Sequence, residues 1–153
     1  MIQRVQTIYI ALAVIFTAIF SFTTIATISS NEVIYLLSTG SVTNLKNPEI
    51  PSQINTYFFS LICGFVTGLL LTTIASYKKR VLQMRITIVS VILNLGIMVF
   101  AYFLALSIAT KINGTISYSI TAIFPLISVV FLVLAYISIK KDNDLIKSLN
   151  RIR

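Results

Sequence analysis

The side chains that could carry acid–base or metal chemistry in this chain are four carboxylates and one thiol. Histidine, the commonest proton-transfer group and metal ligand, is absent from the sequence. The carboxylates are Glu32, Glu49, Asp142 and Asp144, and all four lie in polar segments outside the long uncharged runs. A proton-driven transporter normally keeps an ionisable residue inside the membrane, and these acid pairs lack the further ligands of a metal site. We therefore expect no catalytic residue, no metal site and no cofactor.

Two further side chains lie inside uncharged runs. Cys63 is alone, and we interpret it as a small packing residue. Asn94 is the strongly polar member of its run, and its distance from Arg85 places it near the middle of a bilayer at about 1.5 Å per residue. We expect Asn94 to bond to the second helix near Gly68, and we favour this structural role over a substrate site.

The elements that position these residues are predicted to be membrane helices. Of the 153 residues, 57% are hydrophobic and 10% are charged, whereas about a quarter are charged in an ordinary soluble domain. Four uncharged runs are long enough to cross about 30 Å of hydrocarbon. We predict one membrane domain over residues 1–153, an all-α bundle of four transmembrane helices spanning residues 5–28, 55–77, 86–110 and 117–139.

The basic residues predict the orientation of the bundle. The chain has 12 Lys and Arg and a net charge of +8. Lys46 and Lys111 lie on one side of the predicted bundle, and all the other basic residues lie on the opposite side, the positive-inside pattern. These are Arg4, Lys78, Lys79, Arg80, Arg85, Lys140, Lys141, Lys147, Arg151 and Arg153. The pattern predicts a multi-pass protein of a bacterial inner membrane, with both termini in the cytoplasm beside anionic headgroups, and it accounts for the charge without a nucleic-acid partner.

The first outer loop, residues 29–54, carries a strand signal. Residues 33–37 and 42–45 are β-prone and flank a Ser-Thr-Gly-Ser turn, which predicts a small β-hairpin.

The other connections are shorter or polar. Residues 78–85 form a predicted inner basic loop, and Pro125 should bend the outer third of the fourth span. In the tail, residues 140–153, Leu145, Leu149 and other apolar residues share one helical face among basic residues. The tail is therefore predicted to be an amphipathic helix in the cytoplasmic headgroup layer.

Small residues recur at intervals of four along the second helix. Such a face lets helix backbones approach closely in a membrane, either inside one bundle or against a partner. We favour packing within the monomer over an oligomerisation or partner face, because a four-helix bundle needs such contacts internally. The residues are Ser60, Gly64, Gly68, Thr72 and Ser76.

Both ends of the chain resemble a known family. Residues 1–13 at the start, and residues 139–142, 145–148 and 151–153 at the end, are similar to the ends of a Bacteroidota family of small inner-membrane proteins, domain of unknown function 4293. The resemblance implies a four-span bacterial membrane protein over the whole length. It carries over no activity, ligand or catalytic residue.

Three functions are compatible with these features. The first, which we favour, is a non-catalytic accessory or assembly subunit of a larger inner-membrane complex that binds another membrane protein. The second is an uncoupled small-solute or lipid transporter or channel, with Asn94 and hydroxyl residues of the second helix along its path. The third is a membrane-surface or envelope sensor acting through the basic tail. A continuous polar cavity would favour the second function, and a closed core would favour the first.

Overall fold

In a computed structural model, the chain forms four long helices and a small sheet. The structure describes residues 3–30, 33–45 and 56–151. For residues 3–4, 78 and 146–151 it describes the backbone but not the side chains. The helices are α1 (Gln3–Phe22), α2 (Tyr57–Ala75), α3 (Arg80–Ile112) and α4 (Phe124–Arg151). The strands are β1 (Thr24–Ser30), β2 (Val33–Ser38), β3 (Val42–Asn44) and β4 (Thr115–Tyr118). All four helices are long and apolar enough to cross a membrane, which confirms the predicted class of membrane protein.

The helices pack as an antiparallel bundle in which α1 and α3 each contact both α2 and α4. Buried positions alternate at intervals of four and three residues, as in coiled-coil packing. In α2 they are Phe59, Cys63, Val66, Leu70 and Thr73. We call the end of the bundle that holds the start of α1 and the end of α2 the basic end, and the opposite end the sheet end.

The first helix is shorter than the predicted span 5–28, which is wrong at its outer end. Helix α1 ends at Phe22, and β1 begins at Thr24. The residues from Thr23 onward are rich in Thr and Ile, whose branched side chains favour an extended backbone. Hydropathy alone does not register this change, because Ile25, Ala26 and Ile28 keep the stretch apolar on average and no charged residue interrupts it.

The sheet has four antiparallel strands in the order β3-β2-β1-β4. The predicted hairpin is confirmed as β2 and β3, joined by a turn in which the Ser38 amide donates to the Ser41 carbonyl. Strands β1 and β4 were not predicted. With them the fold contains a four-stranded sheet beside the helices, so the predicted all-α class is wrong in this respect. One face of the sheet packs on the outer part of α3, where Ile28 and Leu37 lie against Ile108 and its neighbours. Residues 46–55, which include Glu49, lie outside the described residues, as does Glu32.

The predicted inner basic loop, residues 78–85, is wrong, because most of it is helical. A single 3₁₀ turn, Ser76–Lys78, and Lys79 connect α2 to α3, which begins at Arg80. Helix α3 has 33 residues and is therefore about 50 Å long, longer than the hydrocarbon core. It ends at Asn113, whose left-handed backbone (φ 49°) is one that Asn tolerates better than most residues.

The fourth helix begins later and ends later than the predicted span 117–139. Strand β4 and a 3₁₀ turn, Ile120–Ile123, precede it. Pro125 is the second residue of α4, where a missing amide donor costs nothing, so the predicted bend of the outer third is wrong. At its other end α4 runs through to Arg151, so the tail continues the spanning helix and the prediction of a separate interfacial helix is also wrong.

Candidate functional site

A buried cluster of hydrogen-bonded side chains joins three helices in the middle of the bundle. Thr17 of α1, Asn94 of α3 and Ser128 of α4 are all fully buried. Thr17 Oγ1 lies 3.1 Å from Asn94 Oδ1 and 2.9 Å from Ser128 Oγ. The Asn94 amide donates to the carbonyl oxygen of Ser90, 3.0 Å away in the same helix. When Ser128 donates to Thr17 and Thr17 donates to Asn94, every hydroxyl and amide in this core polar cluster has a partner.

The predicted hydrogen-bond partner of Asn94 is wrong. Its side chain bonds to α1 rather than to α2 near Gly68. The buried face of α3 repeats through Gln83, Thr87, Ser90 and Asn94 and points into the bundle. Asn94 therefore bonds between α3 and α1 near the middle of its span.

The polar residues of α3 between Asn94 and the basic end bond to neighbouring backbone. The hydroxyls of Thr87 and Ser90 donate to carbonyl oxygens one turn earlier in α3, at 2.8 Å and 2.9 Å. The Gln83 amide donates to the Thr73 carbonyl of α2 at 3.3 Å. These bonds satisfy the two hydroxyls and the Gln83 amide, and the Gln83 bond links α3 to α2.

An apolar cluster follows the core polar cluster on the sheet side. Phe20 and Phe59 are buried there with Cys63, Val66 and Ile97. The rings of Phe20 and Phe59 meet edge to face with centroids 6.3 Å apart. Cys63 packs in this cluster, in the position expected of a small buried residue.

At the basic end a buried carboxylate joins α1 and α4. Asp142 is only 6% exposed, and its Oδ2 accepts a hydrogen bond from the Gln6 amide. The Arg80 guanidinium lies 3.4 Å from the Asp142 carbonyl oxygen, which brings α3 to the same point. The sequence places Asp142 in the predicted tail, outside the uncharged runs. Its position three residues after the buried Ile139 continues the core spacing of α4 and was the signal for its burial.

The middle of the small-residue stretch, Gly64, Gly68 and Thr72, is exposed on the outside of the bundle, whereas Ser60 and Ser76 at its two ends are half-buried. The interpretation that this stretch packs within the monomer is therefore wrong for the two glycines. Gly64 and Gly68 are exposed, and a Cβ built at either position meets no atom within 4 Å. Gly64 follows the buried Cys63 by one residue, which turns it about 100° away from the core. The hydroxyls of Thr72 and Ser76 donate to carbonyls of their own helix at 2.7 Å and 2.8 Å. We call Ser60, Gly64, Gly68, Thr72 and Ser76 the outward small-residue face.

The basic residues that the structure describes gather at the basic end. Lys79, Arg85, Lys140 and Lys141 are exposed there, and Arg80 is half-buried. Lys111 lies at the opposite end, in the last turn of α3. The side chains of Lys78, Lys147 and Arg151, and the whole of Arg153, lie outside the described residues. Within the described residues, no group of three or more His, Cys, Asp or Glu side chains is placed to hold a metal ion.

Residues 2–152 match the family described as a domain of unknown function (DUF4293). Because the match covers nearly the whole chain, the chain belongs to this family. No curated protein matches the chain at a significant level.

Proposed function

We propose that this DUF4293 protein is a non-catalytic accessory or assembly subunit that binds a transmembrane helix of another membrane protein. The observation that carries the proposal is the outward small-residue face of α2. Two glycines one turn apart leave the backbone of α2 open to close approach from outside the bundle. In a membrane, where lipid is as apolar as the helices, such close approach is a principal source of helix–helix affinity.

The chemistry of the outward small-residue face suits a helix partner. Its Thr72 and Ser76 hydroxyls are already bonded to their own helix, so a partner helix meets no unpaired polar group at these positions. Large exposed side chains, including Leu61 and Phe65, lie along one side of the glycines and would form a wall against which a partner helix packs. A helix with small residues of its own at the same spacing fits this surface best.

The interior of the bundle favours an interaction role over a transport path. The core polar cluster uses its hydrogen bonds internally, and the apolar cluster around Phe20 and Phe59 occupies the next layer toward the sheet end. A solute moving through the bundle would have to break the first cluster and displace the second. We place the protein in the bacterial inner membrane with both termini in the cytoplasm, because the basic end carries nearly all the positive charge.

The test is purification of the tagged protein at native expression level in mild detergent, with mass spectrometry of the proteins that accompany it. We expect a stoichiometric membrane protein to co-purify with the natural chain and to be lost from a Gly64→Ile, Gly68→Ile variant. Gly96→Ile is the matched control, because Gly96 is also an exposed helical glycine with no atom within 4 Å of a built Cβ, but lies on α3. Recovery of the natural chain alone, or equal recovery of the partner with all three proteins, would refute the proposal.

A further inference from the structure

An apolar groove lies on the outside of the bundle between α3 and the segment that leads into α4. Its volume is about 360 Å³, at the lower end of the range of roughly 300–1,000 Å³ for small-molecule sites. Buried Ile25 and Ala101, with half-buried Ala122, form its floor. Met98 and Val99 of α3 contribute to one wall.

The groove is apolar along its length and polar at one end. Tyr102 of α3 and Tyr118 of β4 join the two walls at the sheet end, where their rings stack with centroids 6.0 Å apart. Burial raises the pKa of Tyr118, and the neighbouring Tyr102 adds to the effect. Tyrosine takes such positions where hydrocarbon meets headgroups.

The groove is continuous with the surface that faces lipid. Val99, Tyr102 and Ile123 on its walls are about half exposed, and they lead directly onto the outer faces of α3 and α4, which are spanning helices. The groove's volume of about 360 Å³ is smaller than that of a single helical turn with its side chains, roughly 400–600 Å³ for a diameter of about 10–12 Å and a pitch of about 5.4 Å. A helix of another protein therefore cannot enter the groove, but a single hydrocarbon chain can.

We infer that the groove between Met98, Val99, Tyr102, Tyr118 and Ile123 binds one acyl chain of a bilayer phospholipid, with the polar end of the lipid beside the two tyrosines. The bound chain fills the space between α3 and the 3₁₀ turn Ile120–Ile123, and so supports the join between the sheet and the bundle. This inference is independent of the outward small-residue face, which lies on α2.

Quenching of a single tryptophan by brominated lipid tests the inference. The chain has no tryptophan, so Val99→Trp gives one reporter in the groove wall. Ile15→Trp is the matched control, because Ile15 is about as exposed as Val99 and lies on the spanning helix α1, outside the groove. Both variants are purified without lipid in dodecyl maltoside and titrated with dibrominated phosphatidylcholine.

We expect quenching of the Val99→Trp reporter to saturate at one lipid per chain, at a lipid-to-detergent ratio about tenfold lower than that needed for equal quenching of the control. Adding Ala122→Phe, which fills the floor, should return the groove reporter to the control curve. Superimposed curves for the two reporters would overturn the inference. So would quenching that declines as the protein concentration rises at a fixed lipid ratio, because a second copy of the chain would then occupy the groove.

Discussion

The core polar cluster leads to a prediction in which a second substitution rescues the first. Thr17→Val removes the donor to Asn94 Oδ1, which is fully buried and is left without a partner. Ser128 keeps an acceptor, because its Oγ is 3.1 Å from the Ala13 carbonyl oxygen. Asn94→Val removes Oδ1 itself, and Thr17 Oγ1 keeps the same Ala13 oxygen at 2.9 Å. Thr17→Val therefore leaves an unpaired buried acceptor in the cluster, whereas Asn94→Val does not.

For this reason the two single substitutions should lower the free energy of unfolding by different amounts. A buried acceptor without a partner costs about 1–3 kcal/mol, and an interhelical hydrogen bond in a membrane contributes about 0.6 kcal/mol. We expect the free energy of unfolding to fall by about 1–3 kcal/mol in Thr17→Val and by about 0.6 kcal/mol in Asn94→Val. The double variant should be as stable as Asn94→Val alone, because it contains no unpaired acceptor.

Reversible unfolding by SDS in mixed micelles, followed by circular dichroism, measures all four proteins in one double-mutant cycle. Thr67→Val is the matched control, because the Thr67 hydroxyl bonds only to the Cys63 carbonyl of its own helix, at 2.8 Å. We expect this control to change stability by less than about 0.5 kcal/mol. Additive single effects, or a double variant less stable than Thr17→Val, would refute the assignment of these hydrogen bonds.

Two further predictions concern the ends of the bundle. A Cβ at Gly114 would lie 2.9 Å from Ile28 Cγ2 and 3.0 Å from the Ser29 carbonyl oxygen, so Gly114→Ala should destabilise the join of α3 to the sheet by about 1–3 kcal/mol. Gly40→Ala, whose Cβ would meet its nearest atom at 3.9 Å, should be neutral in the same SDS unfolding assay, and equal effects would contradict the steric account. At the basic end, replacing four basic residues by Ser should mix the orientations of the protein in the membrane, so that a cysteine placed in the tail is labelled from both sides. Labelling unchanged from that of the natural orientation would mean that the remaining charges set the orientation. The four are Lys78, Lys79, Arg80 and Arg85.

The four helices and the β2–β3 hairpin were predictable because their signals are local. A run of apolar residues longer than the hydrocarbon core predicts a spanning helix, and the turn at Gly40 between two β-prone runs predicts a hairpin. Strands β1 and β4 have no such signal, because each is defined by its partner. Thr27 of β1 pairs with Ser117 of β4, far away in the chain. The Thr and Ile residues after Phe22 favour an extended backbone, but hydropathy does not reveal where the helix ends.

Which face of each helix is buried was harder to predict than the helices themselves, because the outside of a membrane bundle faces lipid and is as apolar as its core. In a soluble bundle the apolar residues mark the core, but here Ile88, Val89 and Ile92 of α3 are exposed while Ser90 and Asn94 are fully buried. Apolar periodicity therefore carries little information about burial, and polar periodicity carries more. The polar residues of α3 recur at Gln83, Thr87, Ser90 and Asn94, the alternating spacing of a bundle core. In α2 the buried Thr73 continues the spacing of Leu70 and Val66, so the small residues, at a constant interval of four, drift out of that face and onto the outside of the bundle.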